Sequence, residues 1–256
     1  MRGSAGNERR RGGLLLVDKP GGWTSHDVVV FVRNGFGIKK VGHAGTLDPL
    51  ATGLLVLGLG RATRSLGEIA SGTKEYVAGL LLGKRTSTGD LEGEVVESGR
   101  VDVSPEEVGE AVRSFTGDIW QVPPLYSAIK YRGRPLYSYA RRGREVPREA
   151  RRASIEEIEV LRIDLPEVLF RAVVSKGTYI RTLCEDIGRK LGCPATTASL
   201  VRTRVGEFRI EDAVTVDELR QMDSDMLEKT LIPINDEADN KKQHTRNKIQ
   251  TITNDQ

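Results

Sequence analysis

Hydrophobic and polar residues alternate along several segments of the chain, and this pattern predicts β-strands. Between residues 74 and 83, every second position from Lys74 to Leu82 would face the same side of a strand, with Tyr76 among apolar neighbours. Apolar runs also predict strands at residues 14–17, 94–97, 154–164, 168–175 and 200–210.

Two other segments carry apolar residues at the three- and four-residue spacing of an amphipathic helix. They follow Ser104 and Thr178, whose side chains can cap a helix N-terminus. Thr24 and Thr215 are each followed three residues later by an acid, and this capping box predicts two further helices. Valines between positions 28 and 32 favour a strand by local propensity, so the prediction of the first of those helices rests on its capping box.

Strands and helices that mix without strict alternation are typical of an α+β fold, with a central mixed or mostly antiparallel sheet flanked by helices and loops. The 256 residues suit one large domain. Residues 1–12 are polar and rich in arginine, so we expect a disordered N-terminus. Residues 237–256 contain almost no apolar side chains, so we expect a flexible tail. These two ends leave one folded domain at residues 13–236.

The composition fits a protein that folds in a reducing, aqueous compartment. It has 38% hydrophobic and 29% charged residues, and no apolar run approaches the roughly 18 residues of a membrane helix. We therefore expect no membrane association and a cytoplasmic location. The two cysteines, Cys184 and Cys193, argue against a disulfide framework and fit no common zinc spacing. Because no HExxH motif or His–Cys cluster occurs either, we expect no metal ion.

The net charge is only +3, but basic residues are concentrated in one stretch. Residues 130–152 contain nine basic and two acidic residues, a local charge of +7, with three tyrosines between them. Arginine mixed with aromatic residues is typical of surfaces that bind a phosphate backbone and its bases, and a solvated helix and loop surface is the alternative. The basic residues are Lys130, Arg132, Arg134, Arg141, Arg142, Arg144, Arg148, Arg151 and Arg152.

One acid occupies an unusual setting in the glycine-rich segment 42–60, which has the sequence GHAGTLDPLATGLLVLGLG. Asp48 precedes Pro49, which biases its backbone toward an extended conformation, and an apolar run follows at once. An acid held in this way is placed for chemistry, as a nucleophile or a base. The alternative is a structural Asp-Pro turn that leads into a buried strand, and the spacing alone favours that alternative.

Three other side chains each allow a structural and a functional interpretation. Arg181 falls in the first turn of a predicted helix, where the macrodipole disfavours a cation. It would pair either with Glu185 on the surface or with a catalytic carboxylate, whose pKa it would lower. Tyr76 is either a core aromatic or a stacking platform for a base. His43 is either a structural or exposed side chain, or a planar wedge that enters a stack of bases.

Six long blocks of sequence occur in the order LVDKPGGWTSHDVV, GHAGTLDPLATGLLVLGLGRAT, KEYVAGLLLGKRT, PPLYSAIKYRGRPLYSYAR, SKGTYIRTLCEDIG and LVRTRVGEF. Together they resemble the TruB family, the transfer-RNA pseudouridine synthases that act on the T-loop. The resemblance covers residues 13–236, which is nearly the whole chain except its ends.

The resemblance implies a role for each candidate residue. Asp48 corresponds to the catalytic aspartate, Arg181 to the arginine that pairs with it, and Tyr76 to the tyrosine that stacks on the target uracil. His43 corresponds to a histidine that inserts into the T-loop. The family often has TDTLD where this chain has TSTGD, at residues 86–90. The RNA-binding residues that the resemblance implies are His43, Lys19, Leu200, Lys130, Arg132, Arg141, Arg142 and Asp90.

The resemblance also implies a pseudouridine-synthase-like α+β fold and a definite reaction. We expect the chain to convert the T-loop uridine at position 55 of transfer RNA to pseudouridine, by base flipping and aspartate-dependent bond exchange. The implied enzyme is a monomer that needs no cofactor, and no C-terminal PUA-like RNA-binding domain is evident after residue 236. A non-catalytic RNA-binding protein is the alternative from another class, and a glycosidase or nuclease is a more distant one.

Overall fold

The computed structural model describes residues 12–234, so the expected disordered N-terminus, apart from Gly12, and the expected tail lie outside the described residues. Within them, the strands are β1 (Gly13–Lys19), β2 (Val41–His43), β3 (Thr52–Leu59), β4 (Lys74–Leu82), β5 (Lys84–Thr86), β6 (Val95–Ser98), β7 (Gly117–Gln121), β8 (Lys130–Tyr131), β9 (Arg134–Pro135), β10 (Arg151–Asp164), β11 (Glu167–Val174), β12 (Ala195–Val205), β13 (Phe208–Arg209) and β14 (Val214–Thr215). The helices are α1 (Ser25–Gly35), α2 (Leu66–Ile69), α3 (Pro105–Arg113), α4 (Leu136–Ala140), α5 (Ile180–Lys190), α6 (Val216–Gln221) and α7 (Ser224–Thr230).

One mixed sheet of ten strands organises the described residues. Its order is β14-β1-β3-β12-β4-β11-β10-β7, with β2 paired to β3 and β13 paired to β12. The pairs β1–β14 and β3–β12 are parallel, and the other neighbours are antiparallel. The expected α+β fold with a mostly antiparallel sheet is therefore confirmed. None of the helices formed by residues 12–234 is long and apolar enough to cross a membrane.

Strand β4 shows the predicted alternation, because Ala78, Leu80 and Leu82 are buried in the main hydrophobic core and Tyr76 packs against it. Residues of β10, β11, β12, α3 and α5 also contribute to that core. Strand β7 was not predicted, since its short sequence GDIWQ mixes a glycine, an acid and an amide with only two apolar residues. Even so, β7 pairs with β10 and forms one end of the sheet order.

Helix caps were predicted correctly at three positions and wrongly at one. Thr24 and Thr215 each form the predicted capping box, and Ser104 is the predicted N-cap and also forms a capping box. Thr178 is not the N-cap of α5, because its hydroxyl donates instead to the carbonyl of Ser175 at 2.9 Å. The N-cap is Tyr179, and a distant residue satisfies its backbone.

That distant residue is Gln121 at the end of β7. Its Oε1 accepts a hydrogen bond from the backbone N–H of Tyr179 at 3.0 Å, and its Nε2 donates to the Tyr179 carbonyl at 3.2 Å. The amide side chain therefore occupies the place of a local cap, and it ties the start of α5 to the end strand of the sheet.

The parallel contact between β3 and β12 depends on Gly53. Its φ is +96°, and a Cβ atom there would lie 2.4 Å from the carbonyl oxygen of Arg202. Register pairs Gly53 with Arg202, so the two backbones meet at this point. Glycine is the residue that permits both the positive φ and the close approach.

Gly53→Ala is expected to destabilise the protein more than Gly22→Ala. Both glycines have a positive φ, and a left-handed conformation costs an L-residue about 1–2 kcal/mol at either position. Only at Gly53 would the new methyl group also meet backbone atoms, since nothing lies within 4 Å of a Cβ at Gly22. Urea unfolding measures the free energy of unfolding of both variants. An equal loss at the two positions would contradict a role for the contact with Arg202.

Candidate active site

The loop that carries Asp48 joins β2 to β3 and is anchored on both sides of the acid. The Ser25 hydroxyl, at the start of α1, accepts a hydrogen bond from the Leu47 backbone N–H at 2.8 Å and lies 3.1 Å from the Leu47 carbonyl oxygen. On the other side, the Pro49 carbonyl accepts from Gly22 N–H at 2.9 Å. Because the neighbours on both sides are anchored, the backbone at Asp48 is held in place.

Lys19 supports the same loop from beneath. Its fully buried ammonium group donates to the carbonyls of Pro20 at 2.8 Å, Trp23 at 2.6 Å and Pro49 at 3.3 Å. Burial lowers the pKa of Lys19 to about 8, although the nearby Asp48 carboxylate acts in the opposite direction. The structure thus gives Lys19 a supporting position at the end of β1, and the RNA contact expected of it stays a prediction.

Arg181 points into this site and pairs with Asp48. Its Nε lies 2.9 Å from Asp48 Oδ2. Its Nη1 donates to the Thr88 carbonyl and its Nη2 to the Tyr126 carbonyl, both at 2.7 Å. The Arg181 side chain is 6% exposed, and partners from three separate loops hold its guanidinium. Of the two alternatives considered from the sequence, the structure has the pair with a carboxylate inside a site, and the catalytic role of that carboxylate stays a prediction.

A second carboxylate, that of Asp90, lies close to the same guanidinium. Its Oδ2 is 3.9 Å from Arg181 Nε, and its side chain is 5% exposed. Its Oδ1 accepts hydrogen bonds from the Thr88 hydroxyl at 2.5 Å and the Glu92 backbone N–H at 3.1 Å. Asp90 therefore compensates part of the buried charge of Arg181, and its expected contact with RNA stays a prediction.

The electrostatic setting of Asp48 differs from the expectation. Its side chain is 37% exposed, and burial of the remainder raises the pKa of the Asp48 carboxyl above its ordinary value. Arg181 lowers that pKa, as expected, but Asp90 raises it, and the net direction is upward. Arg181 therefore has the predicted effect on the pKa, and burial together with Asp90 outweighs it. A carboxylate that is poorly solvated in this way is a stronger base than one in water.

A cavity of about 260 Å³ opens in front of this ion pair. Tyr76 from β4 and Leu200 from β12 line it together with Asp48 and Arg181. The two strands are neighbours in the sheet, which brings Tyr76 and Leu200 to the same wall. The cavity thus combines an aromatic and an aliphatic surface with one ion pair. Among the described residues, no cluster of three or more His, Cys, Asp or Glu side chains is arranged to hold a metal ion.

Arg202 belongs to the site, although the sequence interpretation did not single it out. It is 1% exposed and donates from Nε to the Leu54 carbonyl at 2.8 Å. Its Nη2 lies 3.2 Å from the Gly45 carbonyl and its Nη1 lies 3.5 Å from that of Thr46. The guanidinium therefore holds the half of the loop that precedes Asp48. Its position in the LVRTRVGEF block, two residues after Leu200, was the available signal.

Tyr179 also lines the cavity and was not predicted to do so. It directly precedes Ile180 and Arg181, and this adjacency was the signal in the sequence. Burial raises the pKa of the Tyr179 phenol, so the group stays protonated and can donate a hydrogen bond.

His43 ends β2, five residues before Asp48. It is half-buried and pairs in register with Leu57 of β3. Burial lowers the pKa of His43, and the Arg202 cation acts in the same direction. The imidazole is therefore neutral at neutral pH, and a neutral planar ring suits insertion between bases. That insertion stays a prediction.

All nine basic residues of the basic segment, residues 130–152, are exposed. Two of its arginines lie over tyrosine rings, Arg132 over Tyr131 at 5.4 Å and Arg141 over Tyr137 at 5.5 Å. The chain that enters the segment passes the cavity, because Ser127 and neighbouring residues line it. The basic segment therefore begins just after residues of the cavity wall. Its contact with phosphates stays a prediction.

Two family models match the chain. The model described as TruB family pseudouridylate synthase (N terminal domain) matches residues 33–180. The model described as tRNA pseudouridylate synthase B C-terminal domain matches residues 181–237. The ion pair between Asp48 and Arg181 thus joins the regions that the two models cover.

Individual proteins and solved structures agree with these models. The tRNA pseudouridine synthase B of Ralstonia nicotianae is 48% identical over 226 residues, which cover 87% of this chain and 72% of that protein. The protein of the same name from Alkaliphilus oremlandii is 46% identical over 222 residues, which cover 87% and 74%.

Among solved structures, that of a Cbf5-Nop10-Gar1 complex matches with a TM-score of 0.68 and 33% identity, over 86% of this chain and 60% of that chain. The structure of an H/ACA RNP bound to a substrate RNA containing 2'-deoxyuridine matches with a TM-score of 0.63 and 28% identity, over 89% and 61%. This chain therefore spans about three fifths of the length of those solved chains.

Arg181→Gln is expected to raise the pKa of the Asp48 carboxyl further, because it removes the cation that lowers it. Titration of ¹³C-labelled aspartate by NMR measures this pKa. The Asp48 resonance is identified as the one that is missing from the spectrum of Asp48→Asn. Arg189→Gln is the matched control, since Arg189 lies on the same helix but pairs with Asp186 at 2.6 Å. An Asp48 pKa that falls or stays constant in Arg181→Gln would contradict the role of the ion pair.

Proposed function

The chain belongs to the TruB family of pseudouridylate synthases, and from that premise we propose that it converts the T-loop uridine at position 55 of transfer RNA to pseudouridine. The observation that carries this proposal is the Asp48–Arg181 ion pair at the wall of a cavity that Tyr76 also lines. A carboxylate, a fixed cation and an aromatic ring are the groups that a reaction on a single extruded base requires. The related proteins named tRNA pseudouridine synthase B support the same substrate.

The target base must leave the RNA before it can reach this cavity. Extrusion of a stacked base costs a few kcal/mol, and protein contacts have to offset that cost. His43 would fill the space that the base leaves, while the exposed cations of the basic segment bind phosphates and fix the RNA in register. Tyr76 and Leu200 would then hold the uracil between aromatic and aliphatic surfaces.

The reaction exchanges one bond to the sugar for another. The bond between C1′ of the ribose and N1 of uracil breaks, the base turns, and C5 forms the new bond to C1′. The proton on C5 is lost and N1 gains one, so atoms balance without oxidation or hydrolysis. Attack of Asp48 at the sugar, attack at the base, and elimination all use an ionised carboxylate beside Arg181. Arg181 favours this ionised form, because it lowers the pKa of the Asp48 carboxyl.

This proposal includes the setting in which the enzyme works. The T-arm of transfer RNA is the partner, and we propose that a monomer in the cytoplasm acts on it. Asp48, Arg181 and Tyr76 of a single chain line the same cavity, which supports this proposal. The residues that line it supply the acid, the cation and the stacking surface, and we propose that no cofactor takes part.

Asp48→Asn is expected to abolish pseudouridine formation on a T-arm transcript while RNA binding stays nearly unchanged. Asparagine keeps the shape of the side chain and removes its charge and nucleophilicity. Tritium release from [5-³H]uridine-labelled RNA measures turnover, and fluorescence anisotropy measures the dissociation constant. Asp217→Asn, at an exposed carboxylate that pairs with Arg220, is the matched control and should retain turnover.

Two outcomes of that experiment would contradict the proposal. Full activity of Asp48→Asn would remove Asp48 from the reaction. Absence of pseudouridine formation by the unmodified protein, together with intact RNA binding, would favour the alternative of a non-catalytic RNA-binding protein.

His43→Ala is expected to reduce turnover less than Asp48→Asn does, because His43 assists extrusion of the base and takes no part in bond exchange. The loss should be smaller on a single-stranded RNA of the same sequence than on a folded T-arm, since less stacking has to be broken. Single-turnover rates on the two RNAs measure the difference. Complete loss on both RNAs would contradict this division of roles.

A further inference from the structure

Trp120 is the most exposed large hydrophobic side chain among residues 12–234, at 70%. It lies on β7, the strand at one end of the sheet order. The core explains the inward residues of this strand, since Ile119 packs against it and Gln121 is buried. Within residues 12–234 the indole of Trp120 has no hydrogen bond and no ring contact, and a ring of that size in water is available for binding.

The surroundings of Trp120 connect it to the active site. Trp120 lines a depression of about 420 Å³ together with Thr88, Tyr126 and Arg181. Arg181 also lines the cavity in front of Asp48, so the two concavities adjoin at this residue. The depression is therefore a neighbouring place for a second nucleotide of an RNA that is bound at Asp48.

The backbone at Trp120 is tied to the helix that carries Arg181. Gln121, the next residue, makes two hydrogen bonds to the backbone of Tyr179 at the start of α5. Arg181 lies in the first turn of that helix. Gln121 thus links strand β7 to the helix that carries Arg181. A platform that is already held in place loses less conformational entropy when a nucleotide binds to it.

The basic segment reaches the surroundings of Trp120. Arg148 of that segment lines the same depression as Trp120. Arg152 lies directly opposite Trp120 in the antiparallel pair of β10 and β7, where it pairs with Asp118 at 2.6 Å. The depression itself is close to neutral, because arginines and acids line it in similar numbers. Stacking must therefore supply the recognition there, and phosphates would contact the exposed basic segment beside it.

We propose that Trp120 is a stacking platform for an unpaired base of the RNA, next to the site that takes the extruded uridine. This inference rests on the proposed function. A base can stack on a side chain only where the RNA is single-stranded or splayed, as in a loop. A single exposed ring among charged groups fits a base better than it fits a protein partner, which needs a wider apolar patch.

The two tryptophans of the chain allow a direct test. Trp23 is half-buried and packs edge-on against Phe31 at 5.9 Å, so Trp23→Phe leaves Trp120 as the single indole. In an Asp48→Asn background, which holds the RNA without reaction, a transfer-RNA transcript should quench the emission of Trp120 and reduce its accessibility to acrylamide. Unchanged emission and accessibility, while anisotropy shows saturated binding, would overturn the proposal.

Affinity gives a second, independent measurement. Stacking on an aromatic side chain strengthens binding roughly 5- to 150-fold. Trp120→Ala should therefore raise the dissociation constant for the RNA about tenfold. The single-turnover rate at saturating RNA should stay unchanged, and Trp120→Phe should restore most of the affinity. Val122→Ala is the matched control, because Val122 is also exposed and lines the same depression.

The outcomes separate this proposal from the proposed function. Unchanged affinity in Trp120→Ala, or equal loss in Trp120→Ala and Val122→Ala, would overturn the stacking platform even if pseudouridine is formed. If the unmodified protein binds RNA but forms no pseudouridine, the proposed function fails, and the emission of Trp120 still tests the contact.

Discussion

The contact between Arg181 Nε and Asp48 Oδ2, at 2.9 Å, is the interaction on which the account of this protein depends. It joins the loop between β2 and β3 to the first turn of α5. Without Asp48, Arg181 would be a buried cation with two carbonyls and the more distant Asp90 as its partners. The helix macrodipole disfavours a cation at a helix N-terminus. Departures of this kind from local preference are typical of functional sites.

The rest of the site keeps this contact in place and sets its strength. Lys19 and Ser25 hold the neighbours of Asp48 from one side, and Arg202 holds the preceding residues from the other. These anchors bury part of the loop, and burial is the reason that the Asp48 pKa rises despite Arg181. A rigid, poorly solvated carboxylate needs little reorganisation before it reacts, which is the condition that efficient catalysis requires.

The local pattern of the sequence predicted the elements that neighbouring residues determine, but it did not reveal the cap of α5 or the role of Arg202, which depend on distant contacts. The alternation in β4 and the capping boxes at Thr24 and Thr215 were visible because a few neighbouring residues determine them. The cap of α5 was assigned wrongly to Thr178, since Gln121 reaches it from 58 residues away. Arg202 was overlooked for the same reason, because its carbonyl partners lie 148 to 157 residues earlier.

Tritium release from [5-³H]uridine-labelled transfer RNA, by the unmodified protein, tests the central claim most directly. A second transcript with cytidine at position 55 identifies the target. We predict about one equivalent of tritium released per transfer RNA from the first transcript and none from the second, since one uridine exchanges its C5 proton. No release from the first transcript, or equal release from both, would contradict the assignment of this site to isomerisation of the T-loop uridine.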